Sequence, residues 1–399
     1  MVTCPDIRSK LENFTPIVTS AMSEVSELDI GCKTLLFNYI EKRSVNPSDI
    51  ISIQAVIDYM HEKINIGNWK EVRIFLRKTI TIASFFKLTC YLENCSELSE
   101  RVFRECFKII DFGILFGCPI DKEPTLLQKC AEIINTLCPS LDNSLIEAPN
   151  IEQSTVRENN NSNTTPIPVI DCPSMELFYK NYILKEEPVI LDNCMKHWPA
   201  LSKWKDQNYF MKLAGMRTVS IEIGNKYTDS DWTQKLMTIG DFIKNHICHE
   251  NGPTGYLAQY QLFDHIPELK KDIVVPEYCC FSDSEDPVDI MAWYGPKGTI
   301  SPIHHDPKKN LLSQVIGEKQ LFLFSPQDSE YLYPHDHQLL NNTARIDPRQ
   351  PDLDIYPKYK HAKPYYCVLK PGQMLYIPPK WWHFVESLSL SFSVSFWWE

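Results

Sequence analysis

The chain is 399 residues long, 43% hydrophobic and 23% charged, with a formal net charge of −11 and a pI near 5.5. That length predicts two or three domains, and the composition excludes an intrinsically disordered chain. The acid excess argues against a protein devoted to gripping nucleic-acid phosphates, which usually carries a basic patch, and fits protein partners or cationic peptides.

Fourteen cysteines are scattered singly, with no CxxC pair and only Cys279 and Cys280 adjacent. Zinc ribbons need paired spacings and secreted scaffolds need denser cysteine, so free thiols in a reducing compartment are expected. The opening "MVTCPDIRSKLENF" lacks the basic-then-apolar pattern of a signal peptide. The longest apolar stretch, "IIDFGILFGCPI", is broken by Asp111 and is too short to span a bilayer. A soluble intracellular protein is the expectation, with no membrane and no nucleic acid among its partners.

From about Thr34 to Leu137 the apolar residues recur at helical spacing. In "PSDIISIQAVIDYMHEKI", Ile50, Ile51, Ile53, Val56, Ile57 and Met60 make one wide stripe, after a Ser48/Asp49 start that follows Pro47. "SELSERVFRECFKII" repeats the pattern, with Ser96 and Ser99 as candidate caps, and "EPTLLQKCAEIINTL" adds a further amphipathic helix. No residue-level repeat names a helical array. An all-α domain over 1–145 is expected, suited to docking protein partners rather than to catalysis.

Residues 146–167 include "NIEQSTVRENNNSNTTPI", which is nearly free of large apolar side chains. Such a stretch buries too little surface to offset its ordering entropy, so it reads as a flexible linker.

Residues 168–399 change texture. Short β-type runs ("PVIL", "RTVSIEIG", "DIMAWYG", "KQLFLFSP", "YCVLKPG", "QMLYIPP", "LSFSVSFWW") alternate with Pro, Gly, Asn and Asp turns, and eight of the nine tryptophans fall here. That is the pattern of an antiparallel barrel or sandwich. The whole chain is therefore expected to be α+β, helical first and β-rich second.

Within this half, "SPIHHDPKKN" raises a metal question. Side chains alternate along a strand, so His304 and Asp306 would share a face while His305 points away. A two-histidine, one-carboxylate triad for non-haem Fe(II) needs such an HxD pair and one distant histidine. His383, in "IPPKWWHFVESL", suits that role; His335 and His337, in "YPHDHQLL", are rivals in what reads as an exposed insert. Taken alone HxD is more often a surface turn than a ligand pair. "GEKQLFLFSP" adds weight, because Lys319 alternates with Leu321 and Leu323 on one face, with Gln320, Phe322 and Phe324 on the other. A lysine in so apolar a strand either meets an anion, such as a dicarboxylate with one end on iron, or sits at a barrel rim with its ammonium in water.

"WYGPKGTISPIHHDPKKNLLSQVIGEKQLFLFSP", "LYPHD", "KPGQMLYIPPKWWHFV" and "SLSFSVSFWW" together resemble the JmjC domain of the 2-oxoglutarate-dependent oxygenases, over roughly 168–399. The resemblance implies a double-stranded β-helix, a cupin-like jelly roll. It implies that His304, Asp306 and His383 hold Fe(II) and that 2-oxoglutarate and O2 are cosubstrates. It further assigns Tyr256 and Lys319 to the far carboxylate of 2-oxoglutarate, Asn310 to the wall of its pocket, and Trp397 to closing the cosubstrate end. Ser301 and Trp293 would lie beside the substrate, and Glu222 would face a substrate guanidinium. Arginine C3-hydroxylation of a protein substrate is the first expectation. The alternatives are demethylation of methyl-lysine on histone H3, histone-tail peptidase activity, and a catalytically silent regulator of transcription or the cell cycle. The family also implies a nuclear location, with the cytoplasm as a second site. No HExxH motif or nucleophile triad supports the peptidase alternative from the residues themselves.

Overall fold

The computed structural model describes residues 3–41, 46–137, 164–224, 226–229, 231–248, 252–336 and 340–399. The chain divides into two compact units, one of 1–144 with 211–219 and 238–240, the other of the remaining residues. No helix among the described residues is long and apolar enough to cross a membrane.

The first unit is built on α1 (Cys4–Glu12), α2 (Thr15–Ala21), α3 (Ile30–Glu41), α4 (Pro47–Ile64), α5 (Ile74–Glu93), α6 (Glu100–Phe116) and α7 (Leu126–Leu137). Helix formation therefore begins well before Thr34. Helix α4 starts on Asn46, which forms a capping box with Asp49 and leaves Pro47 in the first turn, where its missing N–H costs nothing. The buried stripe of α4 runs through Ile53, Val56, Ile57 and Met60 to Ile64. Ile51 departs from the expected stripe: it is 72% exposed, because residue 51 falls on the far side of the helix from the 53/57/60/64 row. Ser99 caps α6 by accepting from the Val102 N–H at 3.4 Å, settling which of the two candidate serines serves.

One ion pair lies deep in this unit. Arg217 donates from Nε to Asp111 at 2.8 Å, and the Thr218 N–H donates to the other oxygen at 2.6 Å, with both charged side chains almost fully buried. The aspartate that interrupts the longest apolar run is thus matched by a partner 106 residues later.

The second unit contains β1 (Thr165–Pro166), β2 (Val169–Asp171), β3 (Val189–Asp192), β4 (Thr218–Ile223), β5 (Thr233–Thr238), β6 (Gly255–Tyr260), β7 (Asp289–Gly295), β8 (Ile300–His304), β9 (Lys309–Ile316), β10 (Lys319–Phe324), β11 (Tyr365–Leu369), β12 (Met374–Ile377), β13 (Trp382–Ser387) and β14 (Ser391–Trp398), the ends of β4 and β5 reaching into the first unit's segments. Among the described residues they form a five-stranded sheet, β1-β11-β10-β13-β8, and a nine-stranded sheet, β2-β3-β12-β9-β14-β7-β6-β4-β5. Inward residues from both sheets, among them Leu312, Leu375, Leu321, Leu323 and Val385, make one core. Phe322, Phe324, Trp382 and Phe384 point the other way, into a second core covered by Leu332, Ala344, Ile346 and Tyr359 of the long β10–β11 connection. The α+β class and the jelly-roll architecture expected from the sequence are what the chain adopts. The linker reading needs one correction: residues 164–167 join the β unit, since Thr165 and Pro166 pair with Tyr365 and Tyr366 and Ile167 is buried. The rest of that stretch, 146–163, lies outside the described residues.

Breaking a buried ion pair leaves an uncompensated charge. Asp111→Ala is therefore expected to lose about 3–5 kcal/mol of stability, read as a shift in the urea midpoint. A loss no larger than that of an exposed Asp→Ala change would show that the pair contributes nothing.

Candidate metal centre

The antiparallel register of β13 on β8 sets His383 opposite His304, with ring centroids 4.2 Å apart. In β13, Trp382 and Phe384 face the outer core, so the alternation turns His383 and Val385 inward. Asp306 arrives differently from the expectation. β8 ends at His304, and Asp306 lies beyond the strand, so strand alternation does not bring it to the histidine's face. The chain instead turns there and is pinned by the Lys380 N–H, which donates to the Asp306 carbonyl at 2.7 Å. Lys380 adopts a left-handed φ of 63°, a strained conformation in the Pro-rich turn just ahead of β13.

His304, Asp306 and His383 each offer a ligand atom, and these atoms lie within 4.8 Å of one another. No other group of three or more His, Cys, Asp or Glu side chains among the described residues is so placed. The Nδ1 of His304 faces the Pro302 carbonyl at 2.8 Å, and that of His383 faces the Trp381 carbonyl at 3.0 Å. A carbonyl only accepts, so Nδ1 carries the proton in both rings and Nε2 is left as a lone-pair donor. Burial, with the neighbouring His304 imidazole, pushes His383 down to about 4, which keeps it neutral as a ligand must be. His305 belongs elsewhere: its ring packs edge-on against Trp382 at 4.5 Å, and its backbone N–H donates to Asn342. His335 takes no part in the cluster; its N–H donates to the Thr343 carbonyl. His337 lies outside the described residues.

The cavity beside the three ligands draws walls from both sheets. Tyr256, Trp293, Asn310 and Trp397 come from the nine-stranded sheet, and Ser301 and Lys319 from the five-stranded one. Lys319 is only 2% exposed, and its Nζ lies 3.2 Å from the Tyr256 hydroxyl. Desolvation by burial lowers its pKa to about 7. The rim alternative is thereby excluded. Gly317 sets the turn that delivers this lysine: its φ is +67°, and a Cβ there would meet the Leu390 carbonyl oxygen at 1.9 Å.

The donor set fits an iron chelated by a dicarboxylate. Asp306 Oδ2, Asn310 Oδ1 and Trp397 Nε1 are buried in this cavity with no hydrogen-bond partner. Orphaned buried polar atoms are costly, and here they converge beside the buried Lys319 and the two histidine rings.

Glu222, on β4, pairs directly with Tyr256 on β6, so the two side chains share a face. Its Oε2 accepts from Trp232 Nε1 at 3.2 Å, and burial raises its pKa. The Tyr227 hydroxyl reaches Thr343 Oγ1 at 3.3 Å, and burial, with smaller contributions from Asp306 and Glu222, pushes its pKa upward. Trp232 and Tyr227 were missed by sequence reasoning. Their one signal is a pair of aromatics in the otherwise polar stretch "GNKYTDSDWTQ".

A family model described as a cupin-like domain matches residues 175–399. The chain is 38% identical to lysine-specific demethylase 8 of Danio rerio, over 98% of each chain. It is 42% identical to the Jumonji C domain-containing protein 5 of Drosophila melanogaster, over 87% of this chain and 86% of that one. A more distant relative, 27% identical over 58% of this chain and 84% of its own, is a human bifunctional peptidase and (3S)-lysyl hydroxylase.

Two outcomes are expected. His304→Gln loses Fe(II) binding in calorimetric titration while His305→Gln keeps it; equal losses would overturn the ligand assignment. Above about pH 7 Lys319 is neutral, and it must take up a proton when a dicarboxylate binds. The dissociation constant for 2-oxoglutarate therefore rises between pH 7 and 9, by at most about tenfold per pH unit, and Lys319→Met removes that slope.

Proposed function

The chain belongs to the cupin-like JmjC oxygenases, which depend on Fe(II) and 2-oxoglutarate, and on that premise we propose that it hydroxylates arginine at C3 in a protein substrate. The observation that carries this reading is the environment of Glu222. The carboxylate is partly buried, one oxygen is held by Trp232, and no cation pairs with it among the described residues. A guanidinium presents paired N–H groups to a carboxylate and stacks on aromatic faces, so it would relieve the desolvation that raises this group's pKa. A methylated ammonium makes less use of a carboxylate held in this way.

In this reading His304, Asp306 and His383 would hold Fe(II), and Lys319 with the Tyr256 hydroxyl would take the far carboxylate of 2-oxoglutarate. Asn310 and Trp397 would supply the polar contacts their orphaned atoms lack, and Ser301 and Trp293 would border the substrate. When bound, iron and 2-oxoglutarate supply an oxidant for a substrate C–H bond, with O2 consumed and succinate and CO2 formed. The protein's share is orientation and dryness. Tyr256 is pushed far up by burial and stays a protonated donor. Leu312, Ile377 and Val385 line the cavity and keep water from the reacting centre. A nuclear substrate is part of the proposal on family grounds.

The second reading is removal of a methyl group from lysine, which the name of the Danio rerio relative, lysine-specific demethylase 8, favours. Mass spectrometry of peptides incubated with Fe(II) and 2-oxoglutarate separates the two. Arginine hydroxylation adds one oxygen to an arginine peptide, whereas demethylation removes methyl groups from a methyl-lysine peptide and leaves arginine untouched. Losing a charged hydrogen bond costs about 2 kcal/mol, so Glu222→Gln is expected to raise KM for the arginine peptide roughly thirtyfold. The KM for 2-oxoglutarate should hardly move; equal effects on both would remove Glu222 from the substrate site.

A further inference from the structure

Beyond the residues assigned above, one threonine shares a face with the metal ligands. The long β10–β11 connection runs antiparallel to the end of β8, with Thr343 directly opposite His304. The Ala344 N–H donates to the Ile303 carbonyl at 2.8 Å, and the His305 N–H donates to the Asn342 carbonyl at 3.0 Å. These bonds flank the His304–Thr343 pair without joining it. That is the closer kind of antiparallel pair, with both side chains on one face. Asn342 Nδ2 adds a bond to the His305 carbonyl at 3.1 Å. His383 pairs with His304 from the other side, so Thr343, His304 and His383 form one row across the sheet.

Thr343 is 1% exposed, and its Oγ1 lies 3.3 Å from the Tyr227 hydroxyl. Tyr227 belongs to the connection that leaves β4 just past Glu222 and comes back to it, because Trp232 Nε1 donates to Glu222 Oε2 at 3.2 Å. Glu222 is in turn in register with Tyr256, a residue of the cavity wall in the nine-stranded sheet. The connection therefore reaches from Glu222 on one sheet to the row of metal ligands on the other, and the Tyr227–Thr343 contact fastens its far side. Its sequence, "GNKYTDSDWTQ", offers little apolar surface to bury, so its position depends on such polar contacts.

We propose that Thr343 is a positioning residue for the peptide substrate: its hydroxyl holds Tyr227, and with it the connection that carries Trp232, beside the metal ligands. Removing the hydroxyl frees that connection and weakens peptide binding. Lys319 and Tyr256, assigned above to 2-oxoglutarate, lie on β10 and β6, which this contact does not join, so cosubstrate binding is unaffected. The proposal rests on the reading that places substrate beside Glu222, and not on which cation the substrate brings.

The test compares Thr343→Val, which keeps the side-chain volume and removes the hydroxyl, with Thr343→Ser, which keeps the hydroxyl. Binding of the arginine and methyl-lysine peptides is measured by calorimetry on the full chain loaded with Fe(II) and 2-oxoglutarate, without oxygen. A neutral hydrogen bond accounts for about a fivefold change in an equilibrium constant, so Thr343→Val is expected to weaken peptide binding about fivefold. The KM for 2-oxoglutarate should stay unchanged, and Thr343→Ser should bind peptide as the wild type does. Added to Tyr227→Phe, Thr343→Val should cost nothing further, because the partner is already gone. Hydrogen exchange of the unliganded chain tests the contact with no peptide present: the amides of Lys226–Asp229 should exchange faster in Thr343→Val and not in Thr343→Ser. Unchanged exchange, equal losses in both Thr343 variants, or an effect that persists in Tyr227→Phe would each overturn the proposal. Binding of the methyl-lysine peptide alone would instead remove the arginine reading, and the Thr343 comparison would then be made on that peptide.

Discussion

The pairing of β13 with β8 places His383 across from His304, and the rest of the site is arranged around that pair. A slip of one residue would turn His383 to the outer face and bring Trp382 or Phe384 into the cavity, since side chains alternate strictly along a strand. The outer core resists that slip by holding Trp382 and Phe384 against Phe322 and Phe324. Trp382 Nε1 is further anchored on Ser329 Oγ at 2.9 Å. At the far end Ser387 is tied to Thr299 through both backbone and hydroxyl, at 3.0 and 2.7 Å. The placement of the two histidines here follows from apolar packing on the opposite side of the sheet.

Around the histidines the fold accepts electrostatic costs that an inert jelly roll would shed. Lys319 is held in the core between β11 and β13 with no counter-charge among the described residues, and three polar atoms of the cavity have no hydrogen-bond partner there. Each such group weakens the protein by itself, and all of them line one cavity. Preorganisation of this kind means that little rearrangement is needed on binding, which is where a rigid β-scaffold differs from a loop-built site.

The contacts around Glu222 and Tyr227 are made by less regular chain. Tyr227 and Trp232 belong to the connection after β4, and Thr343 to the long segment between β10 and β11. That segment is fastened back to the sheet by Arg349, which pairs with Asp347 and with Glu386 of β13 and covers the Phe384 ring at 5.2 Å. Strands therefore hold the two histidines and Lys319, and loops clipped to them hold Tyr227, Trp232 and Thr343.

Period-two alternation in "KQLFLF" was legible directly, and the structure puts Lys319, Leu321 and Leu323 on one face and Phe322 and Phe324 on the other. The helical first half, the strand runs and the candidacy of His383 were readable for the same reason, because spacing along the chain is a local property. Ile51 shows the limit even there: an apolar residue beside the stripe is indistinguishable from one inside it until the helix has a neighbour. What tertiary structure alone decided are meetings between distant segments. Asp111 finds Arg217, Trp232 finds Glu222, and Asp306 reaches the histidines through a turn pinned by Lys380. Such meetings depend on strand register and turn direction summed over many residues, and no local pattern encodes that sum.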